Sequence, residues 1–317
     1  MKHLRNWLGP LAIAALALVL AHCGNGSGTL AGIGGTGITT SGTITALGSI
    51  FVNGVEYDTT QSTVKLNGSS GDASALQVGM VVRVQGTLAA DGIHGTASSV
   101  EFEDSLTGPI TNVATPGGTK KTLTVLGVQV EVDSTTTRFS GTRFTGLAID
   151  DVIEVSGFYD RLNDKLVATF VKKEGTFTNG NSVEIKGTVK TIGANSLALD
   201  RSSLAIDASS SLLGTVKVGD FVEVQGTLDS GSAGPLTATG IESKQEGLGS
   251  EVENASLEGI ITDYVNDSDF RIDGQRVDAS QATLNPSGLS LGDGLRVEAK
   301  GPIRGGVMQA TEIKQEN

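Results

Sequence analysis

Along most of the chain apolar and polar side chains alternate, and in four places the alternation stops at a glycine. Val82 and Val84, Ile153 and Val155, Val222 and Val224, and Val297 and Ala299 take matching alternate positions. Arg83, Glu154, Glu223 and Glu298 sit between them. A period of two closed by glycine predicts a half-buried strand, with the apolar pair inside and the charged residue on the wet face. The fullest copy is Val218-Gly-Asp-Phe-Val-Glu-Val-Gln-Gly-Thr227, and looser copies begin at Val78 and Ile149 and end at Gly301. The closing glycines Gly86, Gly157, Gly226 and Gly301 are 71, 69 and 75 residues apart. A period that long implies a small domain written four times.

Each unit carries further strand signals in the same order. After the glycine-closed strand comes a turn, then Ala97, Ala168, Ala238 or Ala310, followed three positions later by Val100, Val171, Ile241 or Ile313. Residues three apart face opposite sides of a regular strand, so either a bulge intervenes or both faces are partly covered. Ahead of the phrase lie two or three short strands. Asn53-Gly54 and Asp273-Gly274 mark hairpins, because a type I′ turn needs positive φ at both central residues. Single helical turns are predicted at Ala73–Val78 and Ala208–Leu213. Five short strands with one brief helical insertion predict an all-β protein of four tandem OB-like barrels; open five-stranded sheets whose edges pair with the next repeat are the alternative.

The domain boundaries follow. Residues 1–22 read as a signal segment and 23–40 as a Gly-rich tether. The repeats cover 41–105, 106–178, 179–250 and 251–317. Gly32-Ile-Gly-Gly-Thr-Gly37 spells the dinucleotide-binding phrase, but no strand is predicted before it and no helix after it, so it is a linker.

The lead Gly32–Gly37, the stretch Gly48-Ser-Ile-Phe-Val-Asn-Gly-Val55 and the Val-Gly-Asp-x-Val-Glu-Val-x-Gly strand resemble a bacterial family of exported tandem β-barrel domains, catalogued as a domain of unknown function. The resemblance spans nearly all of the chain after residue 22. The second repeat lacks the Val-Gly-Asp lead, and the fourth has Pro302 where others have Thr or Phe. The resemblance implies an exported, often lipidated envelope protein, and it brings no catalytic residues.

Composition then narrows the chemistry. Lys2 and Arg5 precede an apolar run from Leu8 to Leu20, short for a membrane span and suited to an export signal. Leu20-Ala-His-Cys23 is similar to a lipoprotein processing site, which makes Cys23 the expected lipid anchor. Ordinary cleavage after Ala21 is the alternative. Losing the segment moves the formal charge from −12 to −14, which disfavours nucleic acid and acidic lipid as partners. It leaves His94 as the one histidine, in a predicted turn and without the buried partners a general base needs. One histidine and one cysteine cannot make a zinc site. Asp263, Asn266, Asp267, Asp269 and Asp273 crowd one hairpin, yet the spacing of an EF-hand is absent and Asp and Asn are common turn residues. Asp150 and Asp151 are neighbours, so they cannot flank one glycosidic bond. Phe221 alternates with Val222 and points outward.

No catalytic residue, cofactor or metal site is expected. The reading that follows is a non-enzymatic cell-envelope lipoprotein, lipid-anchored in the outer membrane, whose domains act as scaffold, spacer or docking surface for a protein partner. The alternative is a lipoprotein that binds carbohydrate or calcium in a groove between repeats.

Overall fold

The computed structural model describes residues 36–316, and every element of substance in it is a β-strand. The signal segment, Cys23, and Gly32 and Gly34 lie outside the described residues. In the first repeat, strand Thr36–Ala46 pairs with Ile50–Val52, which pairs with Val55–Asp58. Val55–Asp58 pairs in parallel with His94–Phe102, which pairs with Val81–Leu88, and this strand returns to the first. The circuit runs one-two-three-five-four-one and closes a barrel with the strand order of an OB-fold. The same circuit recurs from Leu106–Gly117 to Lys165–Thr176, from Ser182–Ile192 to Leu236–Ser243, and from Val252–Asn266 to Glu312–Gln315. Closed barrels, rather than open sheets, are therefore the outcome. The insertion before the fourth strand is a single turn, at Ala73–Ala75, Phe144–Gly146 or Ser210–Leu213. Five strands around a core filled by branched side chains need no longer helix.

The inward half of the strand pattern holds throughout. Val84, Val155, Val224 and Ala299 are fully buried, each in its own barrel. A bulge accounts for the alanine and its partner three positions on. Gln85 pairs with Ser99 and Gly86 with Ala97, so Ser98 is the extra residue and both Ala97 and Val100 turn inward. Thr169 and Thr239 hold that place in the next two repeats. In all four repeats a hydroxyl seals the bulge: Ser98, Thr169, Thr239 and Thr311 donate to the carbonyls of Gln85, Ser156, Gln225 and Lys300. The strands cross so closely there that a Cβ on Gly86, Gly157, Gly226 or Gly301 would run into the opposing carbonyl oxygen. That crossing explains the glycine that closes every copy of the phrase.

The first strand enters the stretch expected to be a tether. It begins at Thr36, and Ile38 and Thr40 are buried along its contact with the fourth strand. Glycine-rich sequence concealed it, because small residues carry no alternation of hydropathy to read.

The four barrels join in pairs. The opening strands of repeats one and four lie side by side in parallel, with Thr39 opposite Ala255 and Ser41 opposite Leu257. Those of repeats two and three pair antiparallel at Leu106–Thr107 and Glu184–Ile185. The pairs are in turn packed together. Val81 N–H donates to Ser156 Oγ across repeats one and two, and Phe170 of the second repeat is buried in the first barrel's core. Arg296 of the fourth repeat lies over the Phe158 ring of the second.

Gly226 and Gly240 separate crossing from composition. Gly226→Ala meets the Thr237 carbonyl and should destabilise the protein by about 1–3 kcal/mol, the cost of overpacking against backbone. At Gly240 the nearest atom to a new Cβ is 4.0 Å away, so Gly240→Ala should stay within about 0.5 kcal/mol of the parent. Urea unfolding of the two variants measures the difference; equal midpoints would refute the crossing.

Candidate functional site

Packing the barrels together buries their outer faces, and there the charged half of the strand pattern departs from expectation. Glu154, Glu223 and Glu298 are 8%, 4% and 3% exposed, and Arg83 is half-buried. Period-two alternation separates the inside of one barrel from its outside, but it cannot show that a neighbouring barrel covers the outside. Each buried carboxylate has partners. Glu154 accepts from Asn67 Nδ2 at 3.2 Å, and Glu298 accepts from Ser256 Oγ at 2.8 Å and lies 3.2 Å from Lys300 Nζ. Glu223 lies 3.2 Å from Lys186 Nζ and 3.0 Å from Lys244 Nζ. Removing Glu223 would take one carboxylate partner from each of two ammonium groups, so this position is structural rather than a neutral surface site.

Around these faces the repeats leave a chamber of about 250 Å³. Every repeat and two linkers contribute. Arg83 comes from repeat one, Tyr159 from repeat two, Arg201 and Phe221 from repeat three, and Asp273 from repeat four. The linkers add Glu103-Asp104-Ser105 and Lys244-Gln245-Glu246-Gly247. Val82, Leu106, Val128 and Leu166 border it where the barrel cores reach the chamber.

The polar groups are held in place from outside. Arg83 Nη2 donates to the Gly247 carbonyl at 2.6 Å, its one hydrogen bond among the described residues. The Arg201 guanidinium lies 4.5 Å from the centre of the Tyr159 ring and 5.1 Å from that of Phe221. Nη2 of Arg201 donates to Glu246 at 2.9 Å, while its buried Nε has no hydrogen-bond partner. Asp273 occupies the first position of the Asp273-Gly274 turn, at φ 46°. Its carboxyl has no ion pair or hydrogen bond among the described residues. Asp273 is exposed at the border of the chamber. Desolvation raises its pKa most and Glu246 adds to this, against Arg201 and Arg83.

One side of the chamber is a buried ionic cluster. Lys186 Nζ lies 2.8 Å from Glu184, 3.2 Å from Glu223 and 3.3 Å from Asp104, and donates to the Asp104 carbonyl at 2.7 Å. Burial pushes the Glu184 carboxyl up to about 7, with repulsion from Asp104 next and Lys186 opposing.

Of the residues singled out in the sequence, Phe221 does face outward, where it meets Arg201. His94 is exposed at a hairpin, bonds Asp91 at 2.6 Å and is not part of the chamber lining. The aspartates of the fourth repeat disperse: Asp269 pairs with Arg276, Asp267 accepts from Tyr264, Asp263 lies beside Arg271, and Asp273 alone reaches the chamber. No three of the described His, Cys, Asp and Glu residues are placed to hold a metal ion. Asp151 is buried against Lys173. Arg201, Tyr159, Lys244 and Glu246 were not singled out. One signal was available. The corresponding hairpin in the other repeats has Asn53-Gly54, Leu126-Gly127 or Asp273-Gly274, whereas repeat three has Asp200-Arg-Ser-Ser203 without glycine.

Residues 41–101, 107–172, 176–242 and 258–314 each match the model of one family, described as a domain of unknown function (DUF5666). The chain belongs to that family, which it carries as four tandem copies. No curated protein matches the chain.

The ionic cluster gives a pH signature of known sign. Between its ordinary value of 4.5 and about 7, folded Glu184 keeps a proton that the unfolded chain releases. The native state then binds more protons, so this residue's contribution to stability falls as pH rises through that window. Glu184→Gln cannot ionise and should lose that fall. Unfolding curves at pH 4.5, 6 and 7.5 should show the variant gaining on the parent as pH rises; a constant gap would contradict the assignment.

Proposed function

We propose that this member of the DUF5666 family is an exported, non-catalytic binding protein that holds a small polar ligand in the chamber between its four barrels. The observation that carries the proposal is that every repeat and two linkers send polar side chains into one space of about 250 Å³. That space would hold about eight waters, and it lies just below the usual range for small-molecule sites. A spacer gains by keeping its domains in a row, and pairing opening strands across repeats gives that up. Catalysis would need a nucleophile or base held beside a reacting atom. Six of the ionic side chains on the chamber lining, Glu103, Asp104, Lys186, Arg201, Lys244 and Glu246, are instead paired with one another.

Export and anchoring belong to the same proposal. Cys23 directly follows an apolar run behind a basic start, where lipidation chemistry would need it. No helix among the described residues is long and apolar enough to cross a membrane. The net charge of −12 opposes adhesion to anionic lipid. Acyl chains on Cys23 would supply attachment to the outer membrane, with the barrels beside it and a further protein partner within reach.

Two experiments test the proposal. Thermal unfolding against a panel of amino acids, hydroxy acids, amines, sugars and nucleosides should reveal a stabilising compound. A ligand at 100 times its Kd contributes about 2.7 kcal/mol. Gln245→Trp, which places a bulky ring on the chamber lining at an exposed linker position, should abolish the shift. No shift by any compound, or an equal shift in the variant, refutes binding in the chamber. Separately, Cys23→Ser should move the protein from the membrane fraction to the soluble fraction. A variant that remains fully membrane-bound refutes the lipid anchor.

A further inference from the structure

The three charged groups that border the chamber most freely are Arg83, Arg201 and Asp273, one from each of three repeats. Two are guanidiniums with hydrogen-bonding capacity left over. Arg83 uses one side-chain bond, to the Gly247 carbonyl. Arg201 pairs through Nη2 with Glu246 and through its buried Nε, at 3.9 Å, with Asp200. Its spare donor is Nη1, which has no hydrogen bond among the described residues, and two aromatic rings fix its plane. A planar cation held this way recognises a carboxylate by parallel hydrogen bonds without ordering itself on binding. The third group has the opposite demand. Asp273 carries no hydrogen bond, and Arg83 and Arg201 are the two cations that bear on it electrostatically. Neither closes on it to form an ion pair, so the space between them is held open by the surrounding packing.

A ligand must answer both demands, because it takes these groups out of water as it binds, and a charge so covered without a partner is strongly disfavoured. A simple anion would satisfy the guanidiniums and leave Asp273 facing another negative charge. A simple amine would satisfy Asp273 and face two guanidiniums. A phosphate would bring about two negative charges against Asp273 and Glu246. Only a molecule with an acid group and a hydrogen-bond donor close together meets all three residues. The rings of Tyr159 and Phe221, with the edges of Val82, Leu106, Val128 and Leu166 where the barrel cores reach the chamber, add an apolar border for an aliphatic side chain.

We infer that the chamber takes a small carboxylic acid bearing an amino or hydroxyl group beside the carboxylate, with an aliphatic side chain. This rests on the chamber being the ligand site. The carboxylate lies between Arg83 and Arg201, the amino or hydroxyl group donates to Asp273, and the side chain meets the apolar border. The two donors share one chemistry, and matched compounds separate them.

The test is calorimetric titration of the full chain with four compounds on one skeleton: leucine, 2-hydroxy-4-methylpentanoate, 4-methylpentanoate and leucinol. Leucine, its hydroxy analogue or both should bind at least tenfold more tightly than 4-methylpentanoate, which lacks the donor, and leucinol, which lacks the acid. Arg83→Gln should weaken the bound acids at least tenfold. Asp273→Asn, a residue that tolerates the turn's positive φ, should erase the advantage of the donor-bearing acids over 4-methylpentanoate while leaving the fold unchanged. Leucinol binding as tightly as leucine, or acids binding both variants as they bind the parent, overturns the ligand class. If these four compounds fail while another compound stabilises the parent and not Gln245→Trp, the class falls and the chamber stands. If nothing stabilises the parent, both fall.

Discussion

The opening strand of each barrel has too many neighbours to satisfy, and the assembly follows from that constraint. In a five-stranded closed barrel the first strand is long: its first half pairs with the fourth strand and its second half with the second. Residues 36–43 of the first repeat face Val81–Leu88, and only from Ile44 does the second strand begin on the opposite edge. Half of that edge is left without partners. Unpaired backbone groups of this kind attract another strand. Here the same half-edge of the fourth repeat fills the gap, through Ala255–Leu257. Repeats two and three solve the problem with each other at Leu106–Thr107 and Glu184–Ile185.

Joining barrels by their opening strands has a second effect: it brings charged outer faces out of water. Glu154, Glu223 and Glu298 would rest on an open surface in an isolated domain. Covered, they need partners: Glu223 has Lys186 and Lys244 as counter-ions, Glu298 has Lys300, and Glu154 accepts from Asn67. Such pairs add little net stability, but losing one member costs about 3–5 kcal/mol. The ionic cluster therefore fixes which repeat sits against which more than it strengthens any barrel. Hydrophobic burial does the latter, inside each closed sheet.

This division explains what could be read in the sequence. Val84, Val155, Val224 and Ala299 were legible because alternation along a strand is local. The closing glycines were visible, although the steric reason for them appears only where Gly226 passes the Thr237 carbonyl. The bulge was half-legible, since Ala97 and Val100 could not both face inward on a regular strand. The chamber was illegible for a physical reason. Arg83 and Asp273 lie 190 positions apart in sequence and meet only through contacts between repeats, which leave no periodic trace. Arg201 stood out only as a hairpin without its glycine. Asp273 was noticed, but as one of several turn aspartates.

The features that recur and the features that differ among repeats occupy different parts of the molecule. Every repeat has the glycine crossing, the hydroxyl at the bulge and the paired apolar positions, because closing a barrel demands them each time. The two chamber arginines have no like counterpart from repeat to repeat: Arg83 aligns with Glu154, Glu223 and Glu298, and Arg201 aligns with turn residues. Four barrels arranged around one space each present a different side to it, so copying one side chain four times would surround a ligand with like charge. A mixed set of two guanidiniums, one unpaired carboxyl and an apolar border requires that the repeats diverge on their outer faces. The barrels tolerate that divergence because their stability is stored inside, where those side chains do not reach.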